Sequence, residues 1–199
     1  FRVEENMKKS NSTLYSIGHG ARRIDEFINL LKVHGIEFVV DVRSRPRSRF
    51  NPQFNQLELK KSLGLSGIRY VFMGEGLGGL PKDPSCYDSK GHVDYTVLRD
   101  KEFFRECVGR LVTANEKKIR IACMCSEIDA CDCHRSKLIG EALSVHNISM
   151  LHITKQGGVE SQRDVIKRVI NKSGGDLFSN GDVLLKSRKS YKQGGANEF

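Results

Sequence analysis

A short and almost continuously apolar run at residues 37–42 limits most strongly how this chain can fold. The run reads Glu-Phe-Val-Val-Asp-Val, so it is rich in β-branched residues and shows no apolar–polar alternation. A strand with one face in water alternates, whereas a strand covered on both faces is apolar along its length. Residues 37–42 are therefore predicted to form an inner strand with helices above and below the sheet.

Further strands alternate with helices along the chain. Short apolar segments bounded by turn residues predict strands at residues 14–18, 68–73, 119–125 and 148–153. Apolar side chains at helical spacing predict helices at residues 24–31, 56–63, 98–117, 136–146 and 159–171. Strands that alternate with helices form a mostly parallel sheet. The predicted fold class is α/β, a single open, mostly parallel sheet with helices on both faces in Rossmann-like layers.

The 199 residues are divided into one domain and two ends. Residues 13–186 are expected to form the single α/β domain, residues 1–12 a flexible N-terminus and residues 187–199 a basic flexible tail. Within the domain, a glycine-rich loop is predicted at residues 74–79. A long irregular excursion over the surface is predicted at residues 81–96.

The composition indicates the cellular compartment and the kind of ligand to expect. No apolar run approaches the roughly 20 residues that span a bilayer, and the N-terminus does not resemble a secretory signal. Four of the six cysteines fall between residues 123 and 133, a crowding typical of thiolate chemistry or metal ligation in a reducing compartment. We therefore expect a cytoplasmic protein without a membrane partner. The net charge of +9 favours a polyanionic or phosphorylated ligand.

Polar residues follow the predicted strands where ligands of open α/β sheets bind. Gly18 and His19 follow the first strand, Asp41 and Arg43 end the second, and Glu75 follows the third. Cys125 and Glu127 close the fourth strand. Because the carboxyl ends of parallel strands share one edge, these residues are predicted to form one site there.

Four motifs carry a resemblance to a known family. They are Gly18-His19, Asp41-Val42-Arg43, Cys125-Ser126-Glu127 and Cys133-His134-Arg135, in this order. With Ser16-Ile17 and the segment from Arg45 to Asn55, the chain resembles the domain-of-unknown-function family 488 over about residues 14–153. The resemblance implies an α/β sheet domain and implies little about function. Cys123 and Cys131 are additions to that pattern.

Cys125 and Cys133 are candidate catalytic residues. Cys133 precedes a predicted helix and lies beside His134 and Arg135, and helix N-termini and cationic neighbours lower the pKa of a thiol. Cys125 can then face Cys133 as a nucleophile or resolving thiol. His19, His134 and Glu127 are candidate acids or bases. The alternatives are two inert packed cysteines and a His19 that only bridges hydrogen bonds.

A metal site is the rival interpretation of the cysteines. Cys123 and Cys125 have a spacing that puts both side chains on one strand face, and Cys131 and Cys133 repeat it. Four such thiolates would suit zinc or an iron–sulfur cluster. The spacing is not the usual C-x-x-C pattern, so no cofactor is firmly implied.

The arginines at positions 43, 45, 47 and 49 form a candidate phosphate site. An extended backbone would direct alternate side chains the same way, and guanidinium groups match phosphate oxygens. Asp41 would orient one of the arginines. A solvated basic loop is the alternative. The candidate substrate-binding residues are Asp41, Arg43, Arg45, Arg47, Arg49, Glu75, Gly78 and Arg135.

These observations favour an enzyme, a cysteine-dependent transferase or hydrolase, that acts on a phosphate-bearing substrate. A nucleotide or nucleic acid is favoured, and the chemistry would use a Cys/His/Arg site at the carboxyl edge of the sheet. One alternative is a non-catalytic nucleic-acid-binding module. Another is a metal-binding or redox-sensing protein. The sequence predicts no oligomeric state.

Overall fold

The run at residues 37–42 becomes an inner strand of a six-stranded sheet. The computed structural model describes residues 12–172 and 186–191. Its strands are β1 (Leu14–Gly18), β2 (Phe38–Asp41), β3 (Arg69–Phe72), β4 (His92–Asp94), β5 (Ile121–Cys125), β6 (Leu151–Ile153), β7 (Val159–Ser161) and β8 (Lys186–Ser190). The main sheet has the order β3-β2-β5-β1-β6-β7. Its pairs are parallel except β6 with β7.

Helices cover both faces of this sheet, which confirms the predicted α/β class. They are α1 (Ile24–Val33), α2 (Gln56–Leu65), α3 (Gly74–Leu77), α4 (Tyr95–Asp100), α5 (Glu102–Glu116), α6 (Glu141–Ser144) and α7 (Gln162–Lys172). A π-helical turn, Arg135–Gly140, leads into α6. α1 and α2 bury their apolar side chains in one core cluster, whereas α4, α5 and α6 contribute to the other.

The two valines of β2 explain why its sequence does not alternate. Val39 packs with the α1 and α2 side chains, and Val40 packs with those of α5. Successive strand residues point to opposite faces, so a strand between two helical layers needs an apolar residue at each position. Neither valine has more than 2 % of its surface exposed.

Local structure differs from the prediction in three segments. Residues 74–77 form the single helical turn α3 rather than part of a loop. The predicted excursion at 81–96 contains β4 and the start of α4, which Asp94 caps by accepting hydrogen bonds from the next turn. Residues 159–161 are a strand paired antiparallel to β6, although their apolar spacing continues that of the helix that follows. In each case a tertiary contact or a cap overrides the local pattern.

The described C-terminal residues form part of a second, two-stranded sheet. β8 pairs antiparallel with β4, and Val93 N donates to Ser187 Oγ at 2.9 Å. Of the tail predicted at 187–199, residues 187–190 therefore lie in a strand, and residues 192–199 lie outside the described residues, as do residues 1–11. None of the described helices has the length and apolar character needed to cross a lipid bilayer.

Candidate functional site

Three neighbouring strands bring the predicted site residues to one edge of the sheet. β2, β5 and β1 lie side by side and run parallel, so their carboxyl ends lie together. Asp41 ends β2, Cys125 ends β5 and Gly18 ends β1. His19 N donates to Cys125 O at 2.9 Å, which extends the strand pairing beyond β1. The edge is therefore held by backbone hydrogen bonds before any side chain is considered.

Four side chains form a compact group that we call the Cys–His–Glu cluster: Cys125, Glu127, Cys133 and His134. The two Sγ atoms and His134 Nδ1 lie within 4.8 Å of one another. His134 Nδ1 is 3.9 Å from Cys125 Sγ and 3.6 Å from Cys133 Sγ. Glu127 Oε2 is 2.9 Å from Cys125 Sγ and 3.5 Å from Cys133 Sγ. Both cysteines are buried, whereas Glu127 is partly exposed, so the cluster opens to solvent on the side of Glu127.

These distances can be compared with those of a bound ion. Around a tetrahedral zinc with Zn–S of about 2.3 Å and Zn–N of about 2.1 Å, a ligand sulfur and nitrogen lie about 3.6 Å apart. The two sulfur–nitrogen distances agree with that spacing within 0.3 Å. The shorter contact between Cys125 Sγ and Glu127 Oε2 has the length of a direct hydrogen bond. The cluster thus combines three side chains that could bind a zinc ion with an adjacent carboxylate.

A backbone carbonyl fixes the tautomer of His134. Its Nε2–H donates to Val42 O at 3.1 Å, so Nδ1 faces the two sulfurs and carries the lone pair whenever the ring is neutral. Imidazoles that bind metals are commonly held by such a hydrogen bond from the second nitrogen. A Cβ on Gly79 would lie 3.1 Å from Nδ1, so the chain after α3 packs closely against the ring.

The two thiols are electrostatically unequal. Burial alone would raise the pKa of Cys133, but the hydrogen bond with Cys125 and the charges of Arg135 and His134 lower it well below its ordinary value. The same hydrogen bond, with burial, raises the pKa of Cys125 well above its ordinary value. Burial would lower the pKa of His134, but the Cys133 thiolate raises it overall. Cys133 is therefore the thiolate of the pair.

Arg135 supports this thiolate from inside the protein. Its side chain is buried, and Nε donates to Cys133 Sγ at 3.2 Å. Its two terminal nitrogens donate to Glu127 O at 2.6 Å and Ser16 Oγ at 3.3 Å. All arms of the guanidinium group are thus used within the protein. Arg135, a predicted phosphate ligand, is placed here as the internal counter-ion of the cluster.

A chain of buried hydrogen bonds continues from Arg135 into the core. Ser16 Oγ accepts from Arg135 and lies 2.7 Å from His152 Nδ1, so its hydroxyl proton is directed at that nitrogen. His152 Nε2 then donates to Gln162 Oε1 at 2.7 Å. Burial, the largest cause, lowers the pKa of His152 from 6.5 to about 4. His152 is therefore neutral at neutral pH, in the only tautomer that satisfies both neighbours.

The neutral His152 predicts acid sensitivity. A histidine whose pKa is lowered on folding contributes stability that is present above pH 6.5 and is lost as the pH falls towards about 4. We expect the free energy of unfolding to fall by about 2 kcal/mol between pH 7 and pH 5 from this residue. Urea titration at both pH values measures it. His152→Asn should reduce the difference, and an unchanged difference would contradict the assignment.

Asp41 and Arg43 form a buried ion pair at the end of β2. Arg43 Nε and one terminal nitrogen donate to the two carboxylate oxygens at 2.9 and 2.6 Å. Tyr70 donates to the same carboxylate at 2.8 Å, and Arg43 also donates to Phe54 O at 2.8 Å. Asp41 is fully buried and Arg43 is 4 % exposed. The predicted pairing with Asp41 is present, and together with Phe54 O and His19 it gives every nitrogen of the Arg43 guanidinium group a partner inside the protein.

His19 is the neighbour of this ion pair rather than of the Cys–His–Glu cluster. Its Nδ1–H donates to Gly20 O at 2.7 Å, and its Nε2 lies 3.3 Å from a terminal nitrogen of Arg43. The ring stacks on Phe54 with centroids 4.2 Å apart. Burial lowers its pKa to about 4. The geometry is that of a neutral hydrogen-bond bridge, one of the two roles open to it from the sequence.

The remaining candidate substrate-binding residues are either exposed at the surface or needed for close packing of a loop. The side chains of Arg45, Arg47 and Arg49 are exposed. Glu75 is exposed and pairs with Lys82 at 3.1 Å. A Cβ on Gly78 would lie 2.3 Å from Ser44 Oγ, so this glycine permits loop packing.

The four cysteines considered for a metal site do not converge. Cys123 lies in the sheet core, and Cys131 packs beside Val165 and Val169 with its Sγ 3.6 Å from Val165 O. Burial raises the pKa of Cys123 to about 12 and that of Cys131 to about 11. Only Cys125 and Cys133 of the four belong to the cluster.

Two tyrosines lie near the cluster, and sequence patterns did not identify Tyr191 as one of them. Burial, and then the negative charges of Cys133, Tyr191 and Glu127, raise the pKa of Tyr95. Burial and the charge of Glu127 likewise raise the pKa of Tyr191. Tyr95 begins α4 and Tyr191 follows β8, and both elements lie in segments predicted to be irregular. Ser16 and His152 were also missed, because a lone polar residue in an apolar strand has no distinctive spacing.

The comparisons with known proteins agree with the sequence resemblance. A family model described as "Domain of unknown function DUF488" matches residues 23–142, which include Asp41, Cys125 and the Cys133-His134-Arg135 motif. No curated protein and no solved structure matches the chain.

Proposed function

Because this chain belongs to the DUF488 family of unknown function, we propose its function from the site itself: a metal-dependent hydrolase that acts on a phosphate-bearing substrate. Cys125, Cys133 and His134 would bind a zinc-type ion, and Glu127 would serve the reaction as a base. The carboxyl edge of the sheet supports this proposal, since open α/β sheets bind their ligands there.

One observation carries the proposal. His134 Nδ1 lies at about the separation of two zinc ligands from each of the two sulfurs, and the hydrogen bond from Nε2 holds it in that direction. Two thiolates and one imidazole suit a single ion better than an iron–sulfur cluster, which commonly takes four cysteines. Three protein ligands also leave a coordination position open, as in catalytic zinc sites.

Each residue of the cluster then has a role. A bound zinc ion supplies a water whose pKa is about 7 rather than about 16. Glu127 has an oxygen within 3.5 Å of both sulfurs, so it would stand beside an ion held there and would serve as the general base. Arg135 balances the charge of the Cys133 thiolate. A substrate would approach from solvent on the side of Glu127, which is partly exposed.

Thiol chemistry is a second candidate function. The lowered pKa of Cys133 beside the raised pKa of Cys125 is the arrangement of a nucleophile and its partner in a dithiol pair. All six cysteines are free thiols. A redox function predicts a metal-free protein whose Cys125 and Cys133 join on mild oxidation.

Metal analysis decides between these functions. Protein purified without chelator is expected to contain about one zinc or iron per chain, measured by plasma mass spectrometry. Cys125→Ser and Cys133→Ser should each lower that content at least tenfold, because a lost thiolate ligand opens the site. Cys107→Ser and Cys131→Ser, outside the cluster, are matched controls and should retain the ion.

Two results would contradict the metal function. One is wild-type protein that remains metal-free after incubation with excess zinc and removal of unbound ion. The other is a Cys133→Ser variant that keeps a full equivalent. A Cys125–Cys133 disulfide in the metal-free wild type, mapped by peptide mass spectrometry, would then favour the dithiol function.

A further inference from the structure

The arginines of the site fall into two classes. We call residues 43–55 the arginine loop. Arg43, like Arg135 outside the loop, is buried and fully hydrogen-bonded inside the protein. By contrast, the guanidinium groups of Arg45, Arg47 and Arg49 are exposed and make no ion pair or hydrogen bond with any described residue. Three unpaired cations on one short loop repel one another, and an anionic ligand would relieve that repulsion.

An exposed aromatic ring accompanies these cations. Phe50 is 93 % exposed, so its ring contributes almost nothing to the core. The turn that presents it is nonetheless held in place: Ser48 N donates to Asn55 Oδ1 at 2.7 Å, and Asn51 N donates to Ser48 Oγ at 3.1 Å. A fixed loop thus displays a phenyl ring directly beside Arg49.

The arginine loop begins at the Cys–His–Glu cluster. Val42 O accepts the hydrogen bond from His134, and Arg45 follows three residues later, within about 11 Å along the chain. Ser44 Oγ accepts from Leu80 N at 2.9 Å, which joins the loop to the segment that packs on the His134 ring. A ligand that spans the arginine loop therefore reaches the edge where the cluster opens.

We propose that the arginine loop binds single-stranded nucleic acid, with Arg45, Arg47 and Arg49 on backbone phosphates and Phe50 stacked on a base. This assignment of a substrate class rests on the hydrolase function proposed above. Binding of the strand can nevertheless be measured without turnover. Aromatic rings that interrupt a basic surface are the recognition device for single strands. A duplex hides its base faces within the stack, so the exposed ring favours an unpaired strand.

Fluorescence anisotropy with a labelled 12-nucleotide single strand of mixed sequence tests the arginines. Each phosphate contact on a single strand contributes about 0.7 to the slope of log K against log salt, so three contacts contribute about 2. The variant Arg45→Ala/Arg47→Ala/Arg49→Ala should lower the slope by about that amount. Arg69→Ala/Lys117→Ala/Arg120→Ala removes the same charge from exposed positions at the opposite edge and should leave most of the slope.

Phe50 provides the second arm of the experiment. Phe50→Ala should weaken binding about tenfold at a fixed salt concentration without changing the slope, because stacking is not an ionic contact. Phe50→Trp should retain or increase affinity. Phe50→Leu should bind as weakly as Phe50→Ala, since leucine is apolar but has no ring to stack.

Several results would overturn this inference. Equal losses in the two triple variants, a Phe50→Leu affinity equal to wild type, or equally tight binding of polyglutamate would each do so. The metal function is tested separately, because the metal content is measured on wild-type protein without nucleic acid. Strand binding without metal would leave this inference standing alone, and metal without strand binding would leave only the proposed hydrolase.

Discussion

Asp41→Ala is expected to cost about 3–5 kcal/mol of folding stability, because it leaves the Arg43 guanidinium buried without its counter-ion. At roughly 2–4 °C per kcal/mol for a chain of this size, the melting temperature should fall by roughly 6–20 °C. The cost is large because the buried carboxylate accepts three hydrogen bonds from Arg43, one of them from its backbone N–H, and one from Tyr70, and the Arg43 guanidinium group is itself buried. Differential scanning calorimetry of the purified variant measures this change.

A matched ion pair at the surface provides the control. Arg23 and Asp25 also form a two-bond pair, but both side chains are more than half exposed. Asp25→Ala should leave the melting temperature close to that of wild type, because exposed pairs contribute little. Equal effects of Asp41→Ala and Asp25→Ala would show that the buried pair does not hold the end of β2.

The behaviour of the arginines shows how far sequence reasoning reaches. The alternation of Arg43, Arg45, Arg47 and Arg49 predicted four side chains on one side, which requires a continuous extended backbone. Arg43 instead forms an ion pair with Asp41, two residues before it, and the chain bends directly after Arg43. The order and position of the strands follow from apolar patterns, but a side-chain contact of this kind depends on burial that only the assembled sheet creates.

The cysteines differ from their prediction for a related reason. The rule that residues two apart share a face holds for Cys123 and Cys125 in β5, both of which point into the same core cluster. It does not hold for Cys131 and Cys133, because Ala130–Asp132 forms a turn of 3-10 helix. With three residues per turn, positions two apart point in different directions. The cluster therefore contains His134 rather than Cys131, which the spacing of the cysteines alone could not predict.

Gly18→Ala is expected to disrupt the site without touching any reactive side chain. A Cβ at this position would lie 1.8 Å from Glu127 O and 2.7 Å from Ile128 Cα, and both are backbone atoms that cannot rotate away. Glu127 O is the acceptor for Arg135, so displacing it separates the guanidinium group from its anchor and moves the carboxylate. We expect a stability loss of about 3 kcal/mol or more, together with at least tenfold weaker metal binding.

Gly109, inside α5, provides a control for Gly18→Ala, because an added methyl group there makes no close contact. No atom lies within 4 Å of a Cβ built there, so Gly109→Ala should raise stability by roughly 0.5–1 kcal/mol through helix propensity alone. The two variants add the same methyl group, so opposite signs in urea unfolding would assign the Gly18 effect to the Glu127 backbone. Metal binding by Gly109→Ala should equal that of wild type. A Gly18→Ala protein as stable and as metal-loaded as wild type would contradict the close approach of β1 to the turn that carries Glu127.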